Sequence, residues 1–198
     1  MDTGNYRILE DLARASMEKC MARLSRVSAG KWGVAGISVT KRSMAEVVRH
    51  YAGTGRTGTA VYFEVTGEYP FSSMVIFRPE DTEIISRGFL GFSFSRLPGL
   101  NQAQELLLSE LGNIILNAFI SSLSNELKRS FLPSAPKCVN GEARFLLEAL
   151  WSPLGAEQAH SVVTITLDLQ CDGVVTRSEV VAVIPESLEL ALAAGPRG

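Results

Sequence analysis

Six polar residues stand in one row through a segment that is otherwise almost entirely apolar, "SELGNIILNAFISSLSNELKRSFLPSAP", residues 109–136. Glu110, Asn113, Asn117, Ser121, Ser124 and Lys128 recur at spacings of three and four, the repeat of one flank of an α-helix. With Glu110 as zero and about 100° per residue, Asn113 lies at about −60°, Asn117 at about −20°, Ser121 at about +20° and Lys128 at about 0°. Leu108, Leu111, Ile115, Ala118, Phe119 and Ser122 fall on the opposite side. A carboxylate can dock a cation, and a carboxamide one turn away can both donate and accept a hydrogen bond. A plain solvated stripe also gives a polar row, but it would favour Lys, Glu, Arg and Gln. Asparagine is a poor helix former, and it is used twice. Ile114, Leu116 and Ile120 crowd the row on both sides, as apolar residues surround a polar patch at a docking surface.

Other chemistry is poorly supplied. "GTGRTG", residues 53–58, has the glycines of a dinucleotide loop, but it leaves a helix and enters a strand, the reverse of the context that brings phosphate to a helix N-terminus. It reads as a flexible connection. His50 and His160 are the only histidines, and neither has a second ligand at helix or ribbon spacing to make a metal site. No nucleophile elbow of the G-x-S-x-G type occurs. Cys20, Cys138 and Cys171 are odd in number and widely spaced, which fits buried free thiols rather than a disulfide framework or a zinc pattern. "FLGFSF", residues 89–94, reads as a connector packed on the core.

The elements that must position the row follow from the hydrophobic periods. A first long helix is expected over residues 6–28, with Ile8, Leu12, Ala15, Cys20, Ala22, Leu24 and Val27 as its apolar face. A strand "WGVAGISVT", a short helix "SMAEVVRHY" and the paired strands "GTAVYFEVT" and "FSSMVIF" come next, then a helix opening at "RPEDTEIISRGF". After a connector at residues 95–102 the order repeats. A long helix is expected from about Ala103 to Arg129, then an extended "PSAPKCV", a helical "GEARFLLEAL", the strands "SVVTITLDL" and "VTRSEVVAVI", and a closing helix led by Pro185 and Glu186. Leu24-Ser25 recurs as Leu123-Ser124 at an offset of 99, and Pro79-Glu80 as Pro185-Glu186 at an offset of 106. These anchors predict one pseudo-two-fold domain of mixed α+β class, with repeats at about residues 6–90 and 103–193. The tight turns between paired strands require a largely antiparallel sheet packed by the two long helices.

Length and composition agree with one well-packed domain: 198 residues, 46% hydrophobic, 20% charged, net charge −2. Nothing in the charge balance calls for nucleic acid. No uninterrupted apolar run reaches the roughly 18 residues of a membrane helix, so no membrane insertion is expected. "MDTGNYRILEDLARAS" has no basic stretch followed by an apolar core, so no signal peptide is expected and the cytoplasm is the expected compartment.

The row resembles the phosphatase motif of the CheC/CheX/FliY family of bacterial chemotaxis: Glu, two residues, Asn, then twenty-two residues and Pro. Glu110, Asn113 and Pro136 occupy those positions, and "ELGNI" is similar to the family's "EIGNI". The length and the doubled element order resemble CheC. Leu106 stands where the family often has Asp or Ser. CheC carries a second copy on its first helix. The offset of 99 puts that copy at Asp11 and Arg14, a retained carboxylate and a lost carboxamide, and it puts Ile37 opposite Pro136. The resemblance therefore implies a CheC-like fold with one intact site and one degenerate site.

It also implies a substrate, the aspartyl phosphate of a CheY-like response regulator. Asn113 would orient the attacking water and Glu110 would dock the regulator's lysine, with Asn117, Ser121 and Pro136 as partner contacts. The regulator brings its own Mg²⁺, so no cofactor of the chain's own is implied. A CheD-like regulator and self-association are further partners the resemblance admits. The alternative is a non-catalytic regulator-binding or flagellar-switch module of the FliM type, which shares the fold and lacks the motif.

Overall fold

Apolar residues that recur every second position become strands in the computed structural model, and those that recur at three and four become helices. It describes residues 3–52, 57–92, 102–151 and 159–194. The first half runs α1 (Thr3–Val27), β1 (Trp32–Arg42), α2 (Met44–Ala52), β2 (Thr57–Gly67), β3 (Phe71–Phe77) and, past a 3₁₀ turn at Pro79–Asp81, α3 (Thr82–Leu90). The second runs α4 (Gln102–Leu127), β4 (Phe131–Pro133), β5 (Lys137–Glu142), α5 (Ala143–Trp151), β6 (His160–Cys171), β7 (Val174–Pro185) and α6 (Glu186–Ala194). The expected connector at residues 95–102, except Gln102, lies outside the described residues. So do residues 53–56 of the glycine-rich loop and residues 93–94 of "FLGFSF".

The seven strands make one antiparallel sheet in the order β1-β6-β7-β3-β2-β4, with β5 also paired to β2. The fold is α+β and pseudo-two-fold, and its halves meet where β3 pairs with β7. Adding 106 to a β3 residue number gives its β7 counterpart. That operation turns the pair Met74–Val181 into Val180–Val75, itself a pair of the same ladder. The pseudo-axis therefore passes between these two pairs. Each half also gives its leading strand to the other: β1 pairs with β6, and β4 and β5 pair with β2.

Alternation along the strands supplies two cores, as the period of two requires. Val61, Phe63, Val65, Val75, Ile165, Leu167 and Val180 face α1 and α4. Ala60, Met74, Ile76, Val162, Val181 and Val183 face α2 and α5. In β1 the register shifts between Val34 and Gly36. The extra residue keeps Ile37 and Val39 on the same core as Trp32 and Val34, although a strict alternation would have turned them outward. The matching strand of the second half is cut in two. Pro133 and Pro136 cannot donate to the ladder, and "PSAPKCV", expected as one extended piece, becomes β4 and β5 with Ser134–Pro136 between them. Ser134 keeps one rung, its N–H donating to the Glu64 carbonyl at 2.8 Å.

The long helices correct three expectations. On α1, Ala15, Ala22 and Val27 are exposed, and the inward stripe is Ala13, Ser16, Met17, Cys20, Met21 and Leu24. The long methionines at i and i+4 bury more area than alanines can, so they set the face. On α4 the helix stops at Leu127, so Lys128 is not the last member of the polar row. Lys128 is left-handed with φ +52°; the Arg129 N–H caps the Ser124 carbonyl at 3.1 Å and the Ser124 hydroxyl bonds the Arg129 carbonyl. This is a helix-ending Schellman turn, and the chain needs it to enter β4 three residues later. Finally, α4 is long and apolar enough to cross a membrane by length and composition, which a search for unbroken apolar runs missed. In the fold Leu107, Leu108, Leu111, Ile115, Leu116 and Ile120 are buried against α1 and the sheet, while Leu106 is exposed.

Candidate functional site

The polar row occupies the flank of α4 that neither α1 nor the sheet covers. Glu110 and Ser121 are exposed, while Asn113, Asn117 and Ser124 are half-buried. Leu107, Leu108, Leu111, Gly112, Ile115, Leu116 and Ile120 form the buried side. Gly112 explains how tightly the helix is seated. A Cβ there would stand 2.6 Å from the Val61 Cβ on β2, so only glycine lets α4 approach the strand at that point. The residue next to Asn113 thus fixes the helix to the sheet.

Two side chains of the row touch. The Asn117 amide nitrogen donates to the Asn113 side-chain oxygen at 2.7 Å. Among the described residues no acceptor faces the Asn113 amide nitrogen, and Glu110 makes no ion pair. A free carboxylate and a free amide donor therefore stand about one turn apart. The arrangement can pair with an ammonium group, donate to a phosphoryl oxygen and hold a water. Asn113 is not sealed inside the core.

Pro136 is exposed between β4 and β5. Cys138 on β5 meets Ser109 on α4: burial pushes the Cys138 thiol up, while its hydrogen bond with Ser109 opposes the shift.

On α1 the counterparts are unlike. Asp11 and Arg14 are both exposed, and Arg14 is held by Glu10 at 3.6 Å, one turn earlier on the same helix. Ala13 takes the place of Gly112 and is fully buried, so the helix is seated similarly while its outward chemistry differs.

Sequence reasoning missed a second polar cluster across the sheet end. Arg78 donates through Nε and a terminal nitrogen to Asp81, at 2.9 and 2.6 Å, and the Arg177 N–H donates to the same oxygen at 2.9 Å. The Arg177 guanidinium also forks onto Asp168 at 2.7 and 3.0 Å and holds that carboxyl below the usual carboxylate range. Tyr51 bonds Glu179 beside it. Arg78 and Asp81 stand three residues apart and Asp168 faces Arg177 in the β6–β7 hairpin, but no spacing in the sequence joins these two pairs, which meet where β3 pairs with β7. His50 is exposed and edge-on to Tyr51, and His160 opens β6 edge-on to Trp151. All three cysteines are free; Cys20 and Cys171 are buried and Cys138 half-buried.

No family model and no curated protein sequence matches the chain. Solved structures do match. FliY of Thermotoga maritima gives a TM-score of 0.75 at 14% identity, covering 98% of this chain and 96% of that chain. A chain of the CheX–CheY–BeF3–Mg²⁺ complex from Borrelia burgdorferi gives 0.51 at 15% identity, covering 90% and 96%. A chain of the FliG–FliM complex from H. pylori gives 0.63 at 11% identity, covering 96% and 100%. At such identities the likeness establishes the fold, which is of the CheC/CheX/FliY type.

Proposed function

We propose that this protein hydrolyses the aspartyl phosphate of a CheY-like receiver domain, using the row on α4 as its single active site. The observation that carries the reading is the pair Glu110 and Asn113: one turn apart and accessible, with the Glu110 carboxylate and the Asn113 amide nitrogen uncommitted to other protein groups among the described residues. An acyl phosphate is already activated and needs mainly a water placed in line with phosphorus. Asn113 orients that water and donates to a phosphoryl oxygen. The water oxygen bonds to phosphorus, the bond from phosphorus to the aspartyl oxygen breaks with its electrons going to the aspartate carboxylate, and both protons of the water leave on inorganic phosphate. The Mg²⁺ and lysine that offset the developing charge belong to the receiver. Glu110 pairs with that lysine and sets the register between the two proteins. Asn117, Ser121 and Pro136 supply the surrounding contact surface. A complex of CheX with CheY among proteins of this fold supports a receiver as the kind of partner.

A second reading is a docking module of the flagellar-switch type with Asn113 idle. Its support is the higher overall similarity to the FliG–FliM complex than to the CheX complex. Phosphate release from phosphorylated receiver domains, measured with the intact protein at catalytic amounts, separates the two. Release faster than the receiver's own decay supports the phosphatase. Binding without acceleration supports the docking module.

A further inference from the structure

The polar row contains one interaction that a mere contact surface does not need, the hydrogen bond from Asn117 to Asn113. We infer that Asn117 is a positioning residue, which fixes the rotation of the Asn113 carboxamide so that its NH₂ group faces the substrate. This rests on the phosphatase reading of the same helix.

A side-chain amide is planar, with its oxygen and nitrogen on opposite sides of the carbonyl carbon. Asn117 lies one turn beyond Asn113 and donates to its oxygen at 2.7 Å. The Asn113 oxygen is therefore drawn toward the C-terminal end of α4, and the nitrogen is turned toward the Glu110 end of the row. No acceptor among the described residues holds that nitrogen. The donor needed for a phosphoryl oxygen thus stands beside the carboxylate that docks the partner. The second lone pair of the Asn113 oxygen remains open to a water proton. A hydrogen bond into the oxygen also polarises the amide and strengthens its N–H donors. Left alone, the amide would divide its time between two orientations, only one of which presents the donor.

The degenerate site on α1 supports the assignment from another direction. The offset of 99 that pairs Asp11 with Glu110 and Arg14 with Asn113 puts Glu18 opposite Asn117. An ionised carboxylate can only accept, so Glu18 could not direct a carboxamide in this way even if position 14 were asparagine. The α1 row lacks the water-holding amide and the group that would aim it.

Three variants of Asn117 test the inference, read as kcat and KM for phosphate release from a phosphorylated CheY-like receiver domain. Asn117→Ala removes the donor. Asn117→Asp reverses the bond, since a carboxylate captures the Asn113 NH₂ group and turns it away from the substrate. Asn117→Gln keeps a donor on a longer arm. Misorientation of a catalytic group by a fraction of an ångström to one ångström costs up to about 100-fold, so kcat should fall roughly tenfold in Asn117→Ala and about 100-fold in Asn117→Asp, with KM little changed. Asn117→Gln should recover most of the turnover. Alanine and glutamine are better helix formers than asparagine, so far-UV circular dichroism should be unaltered. Wild-type kcat in both Asn117→Ala and Asn117→Asp, with Asn113→Ala inactive, overturns the positioning role and leaves the phosphatase reading intact. Equal losses in the Ala and Asp variants also overturn it, because a plain contact has no direction to reverse. A wild-type protein without activity removes both.

Discussion

Glu110 carries its charge on an exposed turn with no protein partner among the described residues, so it is available before the partner arrives. Its pairing with a receiver lysine would exist in the ground-state complex and persist through reaction. Glu110→Ala should therefore raise KM by about tenfold with kcat nearly unchanged, as loss of uniform binding does; steady-state phosphate release checks this. The thiols allow a second test at the same scale. Burial raises the Cys20 and Cys171 pKa values from 9.0 to about 11. Groups raised in this way contribute stability that is fully present below about pH 9 and is lost as pH climbs through about 11. Urea unfolding midpoints should accordingly hold from pH 7 to 9 and fall toward pH 11. Native alkylation near neutral pH should reach Cys138 first, and Cys20 and Cys171 only once the protein is unfolded.

At the scale of elements, α4 is seated by one residue and ended by another. Gly112→Ala places a methyl group 2.6 Å from the Val61 Cβ. It should cost about 1–3 kcal/mol by overpacking, and it should also lower turnover by lifting Asn113 with the helix. Lys128→Gly should do the opposite to stability. A non-glycine residue in the left-handed region costs about 1–2 kcal/mol, and Lys128 sits there at φ +52°, so thermal unfolding of Lys128→Gly should shift upward with activity unchanged. These two residues also mark what sequence reasoning could reach. The row from Glu110 to Ser121 was legible because helical spacing alone puts its members on one flank. The Lys128 turn was not, since lysine carries no left-handed signal and only the need to enter β4 ends the helix there. The hairpins were legible from their short turns and alternating strands, and the repeat from two dipeptides. The bulge in β1 was hidden because it preserves burial by breaking the very alternation that reveals a strand. The Arg78–Asp81–Arg177–Asp168 cluster was hidden because its two pairs, Arg78–Asp81 and Asp168–Arg177, meet only where β3 pairs with β7.

At the scale of the whole molecule, the exchange of leading strands makes the halves interdependent. Without β6, β1 loses the one strand it pairs with among the described residues; without β4 and β5, β2 is left as an open edge. A chain of residues 1–92 expressed alone should therefore show no cooperative unfolding transition, because of the strand pairings described only that of β2 with β3 would remain and most of the shared core would be absent. The same arrangement holds α1 and α4 side by side on one sheet face and leaves one carboxylate–carboxamide pair on the outside. Whether that pair performs hydrolysis is decided most directly by the lifetime of a phosphorylated CheY-like receiver mixed with catalytic amounts of the intact protein or of Asn113→Ala. The wild-type protein should shorten the lifetime. Asn113→Ala should return it to the receiver's own value, a loss of about 100-fold or more in turnover, while still binding the receiver. An Asn113→Ala protein as active as wild type, or a wild-type protein that leaves the lifetime unchanged, would contradict the account.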